Sequence, residues 1–279
     1  MILRKENEKM TCIKCIQNGS AETTNQKYWV MYSGGKDSSC VAYKLIELDQ
    51  FEGVVVFDTG ICATGFIEWI KDTCEKRKWK LHIEKGGYMS GNEKIQSYDQ
   101  FVKKFGFPKP FSHSWIMRIV KGRAFTKFKK AHTVDKIKPK VASGVRQKES
   151  KRRMKNVTGE YGEFDGCKVW NAVYNWDNDQ VWEYVRKYKI EISPAYKTIH
   201  MSGDCLCGAY ARKDEVDIIK MFYPEVADRL TKLENEIKDN EKIPKQCRYW
   251  GYKDGEGFHS KQTKLDSILC AECDINTSE

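Results

Sequence analysis

Six consecutive residues, Ser33-Gly34-Gly35-Lys36-Asp37-Ser38, combine the groups that hold a polyanion. Glycines let the backbone approach a ligand closely, a helix start offers unpaired N–H groups and positive dipole charge, and lysine adds a full charge. The flanks supply that geometry. Tyr28 to Tyr32 is rich in aromatic and β-branched residues, as a buried strand would be. From Asp37 to Leu48, apolar residues at 41, 43, 45, 46 and 48 follow a helical stripe, with Asp37 or Ser38 as the expected N-cap. A strand-to-helix turn of this composition predicts a phosphate cradle. It is not a Walker loop, which needs a glycine where Val30 stands and Ser or Thr where Asp37 stands. Nor is it a dinucleotide fingerprint, because Lys36 replaces the second glycine.

Other residues extend that chemistry. Ser33, Gly34, Gly35, Lys36 and Ser38 suit a pyrophosphate, while Asp37 and Asp58 are candidate oxygen ligands for Mg²⁺, which bridges phosphate oxygens with few carboxylates. Arg146 and Arg153 offer planar forks that match phosphate or sulfate. Eleven cysteines in a chain whose charged N-terminus carries no apolar signal core predict thiols or metal ligands and a cytoplasmic location. Cys40, Cys62, Cys74 and Cys167 are isolated and read as small buried hydrophobes. Cys205/Cys207 and Cys270/Cys273 make four thiolates, the complement for a [4Fe–4S] cluster or a tetrahedral Zn²⁺. Cys247 is a candidate fifth thiol, and Cys12/Cys15 a separate candidate pair for a small zinc site.

These groups need a scaffold. Gly53 to Gly60 reads as a second strand, Phe66 to Cys74 as an amphipathic helix, and Leu81 to Glu84 as a third strand. Val141 to Gly144 and the stretch around Val169 add two more strands, and Asp177 is the expected cap of the next helix. Alternating strands and helices predict an α/β fold: a doubly wound, mainly parallel sheet with helices on both faces. Its carboxyl edge would gather the phosphate turn and Asp58. Residues 1–27 form an N-terminal extension, 28–193 the nucleotide-binding domain, and 194–279 a smaller helical region with the metal-binding cysteines. No apolar run is long enough to span a membrane. The formal charge of +10 is uneven: between Lys103 and Arg153, 17 Lys and Arg face only Asp135 and Glu149, a net of +15. Charge so localised predicts a polyanionic partner, a nucleotide or a nucleic acid.

The loop SGGKDS resembles the pyrophosphate loop of the N-type ATP pyrophosphatases (the PP-loop superfamily), which includes the phosphoadenylyl-sulfate (PAPS) reductase family. VFDTG, HSWIMRIVKGRAF, SGVRQKESKRR and NWDNDQVWEYVRKYKIEISPAYK resemble further elements of that family, in its order. The resemblance implies that Asp58 and Thr59 lie near the nucleotide and that Gly144 and Arg146 belong to its binding element. Family members acting on a preformed sulfonucleotide usually carry a degenerate loop; this chain keeps all six residues. It is therefore expected to cleave ATP to AMP and pyrophosphate and adenylylate a substrate for sulfur transfer, as in DNA phosphorothioation. Lys36, Asp37, Arg146 and Arg153 would be catalytic, and a cysteine desulfurase or thioredoxin-like protein would be the sulfur donor. The alternatives are a PAPS or adenylyl-sulfate reductase, whose Cys pairs this chain echoes, and a metal-stabilised nucleic-acid-binding protein without catalysis.

Overall fold

Strand β1 (Tyr28–Met31) runs up the centre of the sheet and turns at Gly34 and Gly35 into helix α1 (Lys36–Glu47). The computed structural model describes residues 26–90, 93–95, 97–148, 154, 157, 159–212 and 214–251. Strand β2 (Phe51–Asp58), helix α2 (Phe66–Lys76) and strand β3 (Leu81–Lys85) follow, then a small hairpin of β4 (Tyr88–Ser90) and β5 (Glu93–Ile95). Helix α3 (Tyr98–Phe105) leads to α4 (His113–Met117), a π-helical turn (Arg118–Gly122) and α5 (Arg123–His132), which run without a break. Strand β6 (Lys140–Ser143), the hairpin β7 (Tyr161–Phe164) and β8 (Cys167–Asn171), and helix α6 (Asn178–Lys187) complete the sheet and its cover. Helices α7 (Tyr196–Ile199), α8 (Glu215–Phe222) and α9 (Pro224–Ile237) and a 3₁₀ turn (Lys245–Cys247) make up the rest.

The six-stranded sheet has the order β3-β2-β1-β6-β8-β7, parallel throughout except for the edge strand β7. The expected doubly wound α/β architecture is what the chain adopts. Alternation along the strands assigns the two faces. Val30, Val54, Val56 and Ala142 point into a large core shared with Val41 and Leu45 of α1, Ile70 of α2 and Val181 of α6. Trp29, Val55 and Val141 point the other way, onto Phe125 and Phe128 of α5. The larger core continues into Leu230, Leu233 and Trp250 beyond the sheet. Among the described residues, no helix is long and apolar enough to cross a membrane.

The strand order fixes where a ligand belongs. From β1 the chain moves to β2 and β3 on one side, then crosses back to β6 on the other. Connections leave β1 and β6 in opposite directions, and such a switch point opens a crevice at the carboxyl ends of the strands. The turn after β1 stands at that crevice.

Candidate functional site

Loop geometry begins with Gly34, whose φ of +69° lies in the left-handed region that a side chain resists. Its carbonyl accepts the Ser193 N–H at 2.8 Å, so the segment before α7 clamps the turn from outside. Gly35, in extended backbone, is the N-cap of α1 and provides no side-chain cap. This corrects the expectation of Asp37 or Ser38 in that role. The Ser38 hydroxyl donates to the Gly35 carbonyl at 3.1 Å and accepts from the Ser33 N–H at 3.3 Å, tying the loop to itself. The first N–H groups of α1 have no carbonyl partner within the helix, and no side chain caps them. That is the donor array an anion requires.

Charge is added from two strands. Lys36 Nζ lies 2.9 Å from Asp37 Oδ2, and Arg146 Nε lies 2.5 Å from Asp37 Oδ1. Arg146 reaches Asp37 because β6 lies beside β1 and is followed by Gly144, which packs directly against the first turn of α1. A Cβ at Gly144 would sit 2.8 Å from the Asp37 carbonyl carbon and the Ser38 nitrogen. Asn171 at the end of β8 accepts from the Ser143 hydroxyl at 2.5 Å and steadies the strand end. Lys36, Asp37 and Arg146 are thus one cluster, with the Asp37 carboxylate shared between two cations. Arg153, named with them from the sequence, lies outside the described residues.

Across β1, Asp58 ends β2. Its Oδ1 accepts the Gly60 N–H at 2.8 Å, and its Oδ2 lies 3.0 Å from Lys85 Nζ at the end of β3. The Thr59 hydroxyl donates to the Asp204 carbonyl at 2.9 Å. Asp58, Thr59, Lys85, Tyr98 and Arg229 contribute to the walls of a cavity of about 320 Å³ that does not include Lys36. A shallow hollow of about 390 Å³ on α9, lined by Asp228, Lys232 and Glu236 among others, touches none of these residues. Both carboxylates proposed for Mg²⁺ therefore stand at the carboxyl edge, each already facing a cation that a bound phosphate would compete for.

A second cluster adjoins Thr59. Asp204 and Lys121 form an ion pair of 2.5 Å, and the Ser202 hydroxyl donates to the other Asp204 oxygen at 2.7 Å. Burial would favour their neutral forms, but each outweighs it for the other: Asp204 is held below the usual carboxylate range, and Lys121 is raised. Cys205 and Cys207 hydrogen-bond to each other. Cys207 as donor, followed by the nearby Lys121, draws the Cys205 thiol down, and the same hydrogen bond holds Cys207 well above its ordinary value. The loop is fastened by Leu206 N–H to Ile61 O at 2.6 Å and by Tyr98 OH to Cys207 O at 3.0 Å. The buried Trp250 indole donates to Leu206 O at 2.9 Å, so the described chain ends beside this loop.

Of the other cysteines, Cys40, Cys74 and Cys167 are buried, as small hydrophobes should be. Cys62 is only half-buried. Its thiol lies 3.8 Å from Asp58 Oδ1, and burial, then Asp58 and Cys205, push it up to about 12. It is a neutral S–H donor at the edge of the site, which corrects the expectation of an isolated, buried Cys62. Cys247 is buried, its carbonyl accepting from the Phe107 N–H at 2.6 Å. Among the described residues, no three His, Cys, Asp or Glu side chains stand close enough to hold a metal, so Cys247 does not complete a set with Cys205 and Cys207. Cys270, Cys273, Cys12 and Cys15 lie outside the described residues. Sequence reading also missed Lys85 and Asp204 as groups of the edge. Nothing in local spacing marks them, since tertiary packing alone brings them there.

No curated protein sequence matches the chain. Among solved structures it is similar to the phosphoadenylyl-sulfate reductase from Candida auris in its phosphate complex, with 17% identity over 69% of this chain and 90% of that one and a TM-score of 0.44. It is also similar to the U34-tRNA thiolase NcsA from Methanococcus maripaludis with its [4Fe-4S] cluster (13% identity, 90% and 84% covered, TM-score 0.39). A third is the Candida glabrata FMN adenylyltransferase with FAD and inorganic pyrophosphate (12%, 90% and 72%, 0.37). The model of the phosphoadenosine phosphosulfate reductase domain matches residues 27–209, which span β1 to the thiol loop and every described group of the two clusters apart from Arg229 and Trp250, and the chain belongs to that family.

Proposed function

We propose that the protein is an ATP pyrophosphatase that adenylylates an acceptor oxygen for replacement by sulfur. The observation that carries this reading is the complete six-residue loop at the switch point, with Lys36 and Arg146 converging on Asp37 at the start of α1. An acceptor oxygen would attack the α-phosphorus of ATP, forming an O–P bond as the bond to the bridging oxygen breaks. Pyrophosphate leaves with that electron pair. The loop N–H groups and Lys36 would receive its negative charge, and Arg146 would swing from Asp37 toward the phosphates. Fixed donors aimed at developing charge are the strongest catalytic device such a site has. Asp37 and Asp58 would hold Mg²⁺ together with phosphate oxygens, and the ion would neutralise the leaving group.

Cys205 and Cys207 would supply two of four thiolates for a [4Fe–4S] cluster or zinc, with Cys270 and Cys273 as the others. A ligand thiol must be deprotonated, so binding would release the protons of both cysteines. Held by four thiolates, such a group would have no open position and would brace the loop at residues 204–207 beside the site. Its presence is tested by metal analysis and visible absorbance of anaerobically purified protein, with Cys205→Ser expected to lower the metal content.

Pyrophosphate release from ATP tests the main reading. Lys36→Ala is expected to reduce it by about 10²–10³-fold, the usual effect of deleting one charge-stabilising donor. ATP that stays intact with every acceptor offered would sink it. A second reading is favoured by the family itself, whose domain description names phosphosulfate reduction. Thioredoxin-dependent sulfite production from PAPS or adenylyl sulfate would establish that alternative instead.

A further inference from the structure

Between Lys109 and His132 the chain carries seven Lys and Arg and no Asp or Glu. The fold turns most of this stretch into one rod of α4, the π turn and α5. Ile116, Ile119, Phe125 and Phe128 bury its inner side. On the outer side Ser114, Arg118 and Arg123 are exposed. The π turn has a consequence for the arginines. The Arg123 N–H donates to the Arg118 carbonyl five residues back, so residues five apart come onto nearly the same side of the rod. Lys121, Lys127 and Lys129 are drawn into ion pairs with Asp204, Glu84 and Asp165. Arg118 and Arg123 have no acidic partner among the described residues.

At the start of the same rod, rings from two distant segments gather. His113 meets Tyr210 edge-on with centroids 4.8 Å apart, and the Tyr210 hydroxyl donates to the Pro110 carbonyl at 3.3 Å. Next to them Phe111 is 68% exposed and Tyr210 46%, and Phe111 is the most exposed large apolar side chain among the described residues. Tyr210 lies three residues beyond Cys207, and Lys121 on the rod reaches Asp204 beside Cys205. Tyr210 and the Lys121 turn of the rod therefore border the thiol loop.

We propose that this rim is a binding track for a single-stranded polynucleotide, whose unpaired bases stack on Phe111 and Tyr210 and whose phosphates follow Arg118 and Arg123. Flat rings exposed beside arginines that have no acidic partner among the described residues match a strand that presents both base faces and phosphates. A duplex hides its base faces, and an acidic peptide has no use for the rings. The track names the class of acceptor for the ATP-dependent reaction proposed above. It rests on that reading for its chemistry, while the binding stands apart from it.

Fluorescence anisotropy of the full-length chain with a labelled strand of about 12 nucleotides, and with the same sequence as a duplex, tests the proposal. The single strand is expected to bind more tightly. Phe111→Ala and Tyr210→Ala should each weaken it about tenfold with little change in salt dependence, and Phe111→Trp should keep the affinity, which shows that the fold survives change at that position. Replacing both Arg118 and Arg123 by Gln should reduce the slope of log affinity against log salt by about 1.4, two single-strand phosphate contacts. Lys36→Ala should retain full strand affinity while losing pyrophosphate release, so that failure of either reading shows separately. Equal or tighter binding of the duplex or of poly-glutamate, or ring variants with unchanged affinity, would overturn the track.

Discussion

The phosphate turn and the thiol loop are built in opposite ways, although both sit at the carboxyl edge of the sheet. The turn is nearly self-contained. Ser33, Gly35 and Ser38 bond among themselves, and a single strand neighbour brings Gly144 and Arg146. The thiol loop has almost no structure of its own. Lys121, Ile61, Tyr98 and Trp250, from four separate segments, hold residues 204–207 in place. A site made locally can be damaged in its chemistry with little effect on the fold, whereas one assembled from distant parts fails together with the packing around it. The variants that follow separate the two behaviours.

Trp250→Ala should have the largest effect on stability. The indole is fully buried and its N–H is bonded to Leu206 O, so the substitution leaves both a cavity and an unpaired carbonyl under the thiol loop. A loss of about 3–5 kcal/mol is expected, a fall in Tm of roughly 10 °C. Lys121→Met comes next. It removes the partner of Asp204, whose side chain is 20% exposed, and should cost about 2–3 kcal/mol once partial solvation is allowed for. Adding Asp204→Asn should recover part of that loss. If the double variant is as unstable as the sum of the singles, the pair does not hold the loop. Asp204 also fixes the sign of the acid response. Its pKa is depressed in the fold, so its contribution is present above the ordinary carboxylate range and lost as pH falls through the folded value.

How much was legible follows the same division. β1, α1, β2 and α6 announce themselves through apolar spacing, a glycine pair and Asp177, which forms the expected cap and a full capping box with Gln180. The N-cap of α1 was misplaced because Gly35 caps it by backbone alone, leaving no side-chain signal. The rod from His113 to His132 stayed unassigned, since the π turn shifts the apolar stripe and no acidic residue marks its start. Half of the β7–β8 hairpin was missed although Asp165-Gly166, both with positive φ, is the turn dipeptide that joins such strands. Lys121–Asp204 is a juxtaposition of tertiary packing that nothing in local composition encodes, whereas Cys62–Asp58 is made by the path of the loop after β2, which carries no periodic signal.

Gly144→Ala probes the other side of the comparison. The new methyl would press on the first turn of α1 at 2.8 Å, so that turn must move relative to β6. Strain of about 1–3 kcal/mol is expected, less than for Trp250→Ala, yet pyrophosphate release should fall at least as steeply as stability. A variant with lowered Tm and full turnover would show that Arg146 and Asp37 need not be held in register.

The smallest effect belongs to a place in neither region and sets the background. His132 Nε2 lies 3.2 Å from His82 Nδ1, and His82 Nε2 lies 3.4 Å from Glu84, with Trp29 and Phe128 packed on the His132 ring. Burial, then the His82 charge, holds His132 below its ordinary value, with Glu52 opposing. The fold thus prefers the neutral ring. The unfolded chain takes up its proton first as pH falls, so this contribution is complete above about 6.5 and lost as pH drops toward the folded value. Between pH 7 and 5 the wild type should lose about 2 °C more in Tm than His132→Phe. Because the pair joins α5 to β3 and touches neither the turn nor the thiol loop, pyrophosphate release measured at fixed temperature should follow the same pH profile in both proteins. A divergence in that profile would mean that α5 transmits its packing to the carboxyl edge through Lys121, and the two regions would then be coupled through the rod.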